Sequence, residues 1–193
     1  MRLLQEFTCL LSVLLLTQAI AMPGVQGFIE NRGQLPPPVR YYAIVPNGLL
    51  YITERGYGYV WYITEPRTQR IQAHRVELHA VGSHRTQLRL NGIMPTTLYI
   101  YRGTTCLEGI RVYHQVMLEN IAPGVRAQFY FQPNGTIKCD YHAATARHAS
   151  ALALSIRGAT AHVLPDGRLA FRTRLGDIIE GAPISYQNRT TTA

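Results

Sequence analysis

The sequence predicts an all-β protein: an antiparallel β-sandwich or open barrel of many short strands, with at most one short helix. Three observations point there. The triplet Pro-Asn/Asp-Gly occurs three times, at Pro46-Asn47-Gly48, Pro133-Asn134-Gly135 and Pro165-Asp166-Gly167. Each copy separates two runs rich in β-branched and aromatic residues, which is the pattern of a tight hairpin. Turn residues recur about every ten positions, as in sandwiches and barrels, and neither a βαβ unit nor a phosphate-cradling glycine loop interrupts them.

The elements follow in order. Tyr41–Val45 and Leu49–Thr53 flank the first triplet. Strands are expected at Tyr57–Ile63, Ile71–Val81, Thr86–Leu90, Leu98–Tyr101 and Val112–Leu118. In the second of these, Val76, Leu78 and Ala80 alternate with Arg75, Glu77 and His79, so one face is apolar and the other wet. Val125–Gln132 and Thr136–His142 flank the second triplet. The alanine-rich Ala143–Ala153 is the only helix candidate, and a strand follows over Ala151–Ile156. Ala159–Leu164 and Arg168–Thr173 flank the third triplet.

Side-chain polarity sets the register of the last two hairpins. A three-residue loop at Pro133–Gly135 places Phe131 opposite Ile137 and Phe129 opposite Cys139. Arg126, Gln128, Tyr130, Lys138 and Asp140 then share the other face. A two-residue loop would set Phe131 against Lys138 and turn one apolar set outward. The same test at Pro165–Gly167 pairs Val163 with Leu169 and Ala161 with Phe171, leaving His162, Arg168 and Arg172 outside. Phe129, Phe131, Val163, Leu169 and Phe171 are therefore expected in the core, with Cys139 beside Phe129.

The N-terminus reads as a secretory leader. Arg2 is basic, Cys9–Leu16 is almost wholly apolar, and Ala19-Ile20-Ala21 offers small residues to a signal peptidase. Cleavage is expected before Met22. The apolar run is too short to span a bilayer, and no second hydrophobic span follows, so no transmembrane anchor is expected. This divides the chain into a signal, residues 1–21, and a single β domain, residues 22–193, that is exported to the periplasm, cell surface or exterior. Cys9 leaves with the leader, and Cys106 and Cys139 remain. Two cysteines make no disulfide scaffold and no metal-ligand spacing.

Composition is that of a globular protein, 47% hydrophobic and 16% charged. The formal charge is +8, carried almost entirely by arginine, with Lys138 the single lysine. Such a surface attracts polyanions, but no run of basic residues occurs, and no nucleic-acid partner is expected of an exported protein.

No constellation names a reaction, so no catalytic, cofactor-binding or metal residue is assigned and no enzyme activity is expected. His74, His79 and His84 recur at intervals of five, which on a strand sends neighbours to opposite faces. Asp140, Asp166, Asp177 and Glu180 show no acid–base spacing, and Asp166 and Asp177 read as turn residues. Glu30-Asn31-Arg32-Gly33-Gln34 is the sharpest polar cluster and reads as a turn that pins the N-terminal segment. Asn134-Gly135-Thr136 and Asn188-Arg189-Thr190 are glycosylation sequons. Trp61 and the twelve tyrosines are the candidate stacking platforms for sugars.

Several segments in fixed order carry a family resemblance. They are Phe28-Ile29-Glu30-Asn31-Arg32-Gly33-Gln34, His74-Arg75-Val76-Glu77-Leu78, Val112-Tyr113 and Ile121-Ala122-Pro123-Gly124-Val125. Asp166-Gly167-Arg168-Leu169, Thr173-Arg174-Leu175-Gly176-Asp177, Glu180-Gly181-Ala182-Pro183 and Tyr186-Gln187 close the series. Over residues 28–187 the chain resembles the N-terminal domain of unknown function of large secreted bacterial proteins. There it precedes SBBP β-propeller repeats, PKD-like or other Ig-like modules and a type IX secretion sorting domain. The chain departs from that pattern at Val125-Arg126, where the family has Ile-Asp, at Cys139-Asp140-Tyr141, where it has Tyr-Asp-Phe, and at Leu98-Tyr99, where it has Asn-Tyr. Losing the acid at Arg126 argues against a family-wide metal or catalytic site. The resemblance implies no activity and no cofactor. It implies an exported, non-catalytic β module with a structural or interaction role, its partners being downstream repeats or surface glycans. The alternative is a carbohydrate-binding module or weak glycan-active enzyme.

Overall fold

A computed structural model describes residues 25–82 and 86–186. Thirteen strands and one helix are described. The strands are β1 (Phe28–Glu30), β2 (Val39–Val45), β3 (Gly48–Thr53), β4 (Gly56–Thr64), β5 (Ile71–Ala80), β6 (Gln87–Arg102), β7 (Thr105–Ala122), β8 (Val125–Phe131), β9 (Ile137–Ala143), β10 (Leu154–Arg157), β11 (Thr160–Val163), β12 (Leu169–Thr173) and β13 (Gly176–Glu180). Helix α1 (Ala146–Ala151) lies between β9 and β10 and is capped by the Thr145 side chain. All strand pairs are antiparallel and the sheet does not close into a barrel.

Ten strands form one sheet, in which β7 is the branch point. One edge of β7 pairs with β6 along most of its length. Its other edge is shared end to end by β1, at Val112 and Tyr113, and by β8, from Gln115 onward. The sheet therefore forks. One wing runs β1-β2-β3-β4-β5-β10 and the other β8-β9. The wings face each other: Tyr57 of β4 meets Phe129 of β8 with ring centroids 4.8 Å apart, and Phe28 meets Phe131 at 5.6 Å. The separate sheet β11-β12-β13 packs Phe171, Leu169 and Ile178 against the same interior.

Period-two alternation explains how one sheet feeds two cores. In β3, Leu50 and Ile52 enter the interior between the wings, while Leu49 and Tyr51 enter a second cluster on the opposite face. That second cluster is completed by Leu98, Ile100 and Ile110 of the long β6–β7 hairpin. In β5, Val76, Leu78 and Ala80 are buried in the first core, as the alternation predicts.

The two later hairpins have the expected register. Phe131 pairs with Ile137 and Phe129 with Cys139; Val163 pairs with Leu169 and Ala161 with Phe171. Gly135 and Gly167 close the loops at φ 81° and 83°. Space at both is ample enough for the backbone angle to dominate: a Cβ would meet only the Gln26 side chain at Gly135 and Ala182 at Gly167. Gly135→Val and Gly167→Val should each cost about 1–2 kcal/mol, and a thermal melt should show each midpoint lowered by several degrees.

The first triplet differs. Val45 pairs directly with Gly48, so the loop is Pro46-Asn47 and Asn47 takes the positive φ, 58°. Gly48 is needed inside β3 because a Cβ there would lie 2.2 Å from the Val60 carbonyl oxygen. Asparagine tolerates the left-handed region, so the same three residue types yield a shorter loop.

Four further expectations are corrected. Val163 is 71% exposed. It pairs in register with Leu169, but edge strand β11 ends in a hairpin tip with no layer beneath it. Phe129 and Phe171 are fully buried, and Phe131 and Leu169 pack partly buried against the core. The strands expected at Thr86–Leu90 and Leu98–Tyr101 are two ends of β6, joined through the irregular Ile93–Thr97 register, with Gly92 at φ 65°. Val112–Leu118 is the middle of an eighteen-residue β7. Finally, Ala151 belongs to α1, and β10 starts at Leu154.

Candidate functional site

The Asn31–Gln34 cluster is a turn that locks β1 in place. Asn31 Nδ2 donates to the carbonyls of Leu35, Pro36 and Val39 at 3.0, 3.2 and 2.7 Å. Its Oδ1 accepts from the Gly33 and Leu35 amides. Gln34, 3% exposed, accepts from the Arg32 amide and donates to the Glu30 carbonyl. Gly33 holds φ 114°. Arg32 reaches the β6–β7 hairpin through the Glu108 carbonyl at 2.9 Å. The Asn31 and Gln34 side chains are thus spent on backbone. The Gln34 side chain lies beside the buried Tyr42 hydroxyl without hydrogen-bond geometry. Burial therefore dominates and pushes that phenol well above its ordinary value.

The interior between the wings holds a denser group. Tyr57 and Tyr59 sit two apart on β4 and so share a face, as do Cys139 and Tyr141 on β9. Glu180 ends β13. The hydroxyls of Tyr57 and Tyr141 are 2.7 Å apart, and Tyr59 donates to Glu180 Oε1 at 3.0 Å. These two bonds tie the first wing to β9 and to the small sheet. Burial raises the pKa of Tyr57, Tyr59 and Tyr141 far above that of a free phenol and pushes the Cys139 thiol up. A protonated thiol is a poor nucleophile, and Cys139 and Cys106 are both free. The group can hydrogen-bond and hold layers together, but it cannot supply a thiolate or phenolate at neutral pH.

Glu180 gives this interior a pH dependence. Burial raises its pKa, and the Tyr59 hydroxyl offsets part of the rise. A raised folded-state value means that the stability of the protonated form is complete below the ordinary carboxylate pKa. It is lost as pH climbs through the raised value. Glu180→Gln keeps an acceptor for Tyr59 and carries no charge. The variant should melt with wild type near about pH 4 and above it near about pH 8, by a few degrees in paired calorimetric scans. A lower midpoint at the higher pH would contradict this.

The remaining candidates separate. His74 and His79 lie on opposite faces of β5. His74 Nε2 bonds the Gly158 carbonyl and Nδ1 accepts from Arg174 Nε at 3.3 Å; His79 Nδ1 bonds the Arg55 carbonyl. His84 lies outside the described residues, as does the Asn188 sequon. Among the described residues no group of three His, Cys, Asp or Glu is placed to hold a metal ion. Asp140 takes Tyr130 and Lys138 on the wet face of the β8-β9 wing. Asp166 accepts from the Arg168 amide and guanidinium, which hold its carboxyl below the ordinary range. Asp177 meets Arg172 at 3.7 Å. Asn134 caps its own turn by accepting from the Thr136 amide and hydroxyl. Among the described residues no helix is long and apolar enough to cross a membrane.

The sequence comparison adds one match. The model of DUF7948, a domain of unknown function, covers residues 28–193. The chain belongs to the DUF7948 family. The match begins at Phe28, the first residue of β1, and takes in the whole of both sheets. No curated protein and no solved structure matches this chain. The Asn31 turn and the interior tyrosine group thus lie inside the DUF7948 domain, as does the Arg174 turn between β12 and β13.

Proposed function

We propose that this DUF7948 domain is an exported, non-catalytic β module that serves a structural or interaction role in a cell-envelope or extracellular protein. Its partners are downstream modules, such as β-propeller repeats, or surface glycans. The observation that supports this reading is the use of the acid–base side chains. Tyr57, Tyr59, Tyr141 and Glu180 face one another across three layers and bond the domain together. The leader read at residues 1–21 supplies the export step.

The reading is tested by expressing the whole chain in a bacterial host and fractionating the cells. Protein recovered outside the cytoplasm should have an intact mass that starts at Met22. Full-length protein retained in the cytoplasm would overturn the export claim.

A further inference from the structure

The rim of the first wing holds a tryptophan that the core does not use. Trp61 is the single tryptophan of the chain. It shares a face of β4 with Tyr57 and Tyr59, which the interior absorbs. Among the described residues Trp61 is only partly covered and joins neither hydrophobic cluster. Its strand neighbours are Gly48 on one side and His74 on the other. Gly48 has no side chain, so that flank of the indole is not walled by β3. His74 stands opposite, at the usual cross-strand spacing of about 5 Å.

Behind His74 is an arginine held by neutral groups. Arg174 donates from Nε to His74 Nδ1 and from Nη2 to the Ala73 carbonyl at 2.8 Å. With Nδ1 accepting, His74 carries its proton on Nε2 and donates it to the Gly158 carbonyl. The imidazole is therefore a neutral brace. Arg168 and Arg172, on the same small sheet, are instead paired with Asp166 and Asp177. Arg174 is fixed in place with its charge uncompensated and its Nη1 group free among the described residues.

We propose that Trp61, His74 and Arg174 form a binding site for an acidic saccharide, a pyranose ring bearing a carboxylate or sulfate. The indole supplies a flat apolar face for the C–H side of the ring. The free Nη1 group of the guanidinium supplies charge-assisted donors for the anionic group, bonds roughly twice as strong as neutral ones. The formal charge of +8 favours the approach of a polyanionic chain. The site adds a ligand to the structural role proposed above and does not depend on export, since purified folded protein suffices to test it.

Trp61 is its own reporter. Titration of the purified chain with oligogalacturonate, with a sulfated oligosaccharide and with a neutral cello-oligosaccharide is followed by tryptophan fluorescence and by calorimetry. At least one anionic ligand should give a saturating fluorescence change, and the neutral one should give none. Arg174→Gln keeps a donor for the Ala73 carbonyl and loses the charge, so it should weaken that ligand about tenfold. Trp61→Ala should weaken it comparably by calorimetry. Arg126→Ala removes the same charge from the other wing and should leave affinity unchanged. Circular dichroism melts confirm that each variant is folded. Absence of saturation with both anions overturns the site. Equal losses in Arg126→Ala and Arg174→Gln also overturn it, because binding would then be diffuse attraction to a basic surface. Binding of the neutral sugar as tight as that of the acidic ones overturns the role of Arg174.

Discussion

Replacing Phe171 with alanine should lower the melting temperature by about 10 °C. Phe171 is fully buried and pairs with Ala161 and Ile178 at the centre of the small sheet. Its ring is the main apolar anchor between that sheet and the interior between the wings. A buried Phe→Ala change costs about 3–5 kcal/mol in transfer and cavity terms, against a total stability of about 5–15 kcal/mol. Loss of the anchor should also expose the β11–β13 segment to limited proteolysis before the larger sheet is cut. Val163→Ala is the matched control. It lies on the same sheet but is 71% exposed, and should change stability by less than about 0.5 kcal/mol. A melt in which the two variants behave alike would contradict the packing of the small sheet.

Gly158→Ala should be among the most damaging conservative backbone changes. Gly158 links β10 to β11, the point where the chain leaves the larger sheet for the smaller one. It holds φ 83°, a region that costs an L-residue about 1–2 kcal/mol. A Cβ there would also sit 2.1 Å from the Arg75 carbonyl oxygen. Backbone cannot swing aside as a side chain can, so β5 or the linker must shift. The His74 contact to the Gly158 carbonyl would shift with it. The expected cost is about 2 kcal/mol or more, read as a lower denaturant midpoint. Gly82→Ala provides the comparison, because it has φ 72° but no neighbouring atom within 4 Å. It should show the conformational cost alone. Equal effects at the two glycines would mean that the close approach to Arg75 is absent.

Much of the secondary structure was legible because its causes are local. Alternation in β5, and the pairing of Phe129 with Cys139 and of Ala161 with Phe171, follow from side-chain polarity and turn chemistry within a few residues. The Asn31 turn was legible for the same reason. The fork at β7 was not, because two strands sharing one edge leave no mark on the periodicity of either. The interior tyrosine group was hidden too. Tyr57, Tyr141 and Glu180 come from three separate parts of the chain, and nothing in their spacing states that they meet.

The rim site divides in the same way. Trp61 stood out in the sequence as a stacking candidate, while Arg174 was one arginine among many. Only the crossing of the small sheet over β5 sets Arg174 against His74 and the Ala73 carbonyl. By itself the sequence determined an all-β, antiparallel chain and the registers of its two later hairpins, since each rests on short-range pattern. The tertiary structure decided which apolar faces are covered, leaving Val163 bare and Phe171 sealed, and which polar side chains become neighbours. Burial and long-range contact depend on the layer packed opposite, and a strand does not encode what lies across from it.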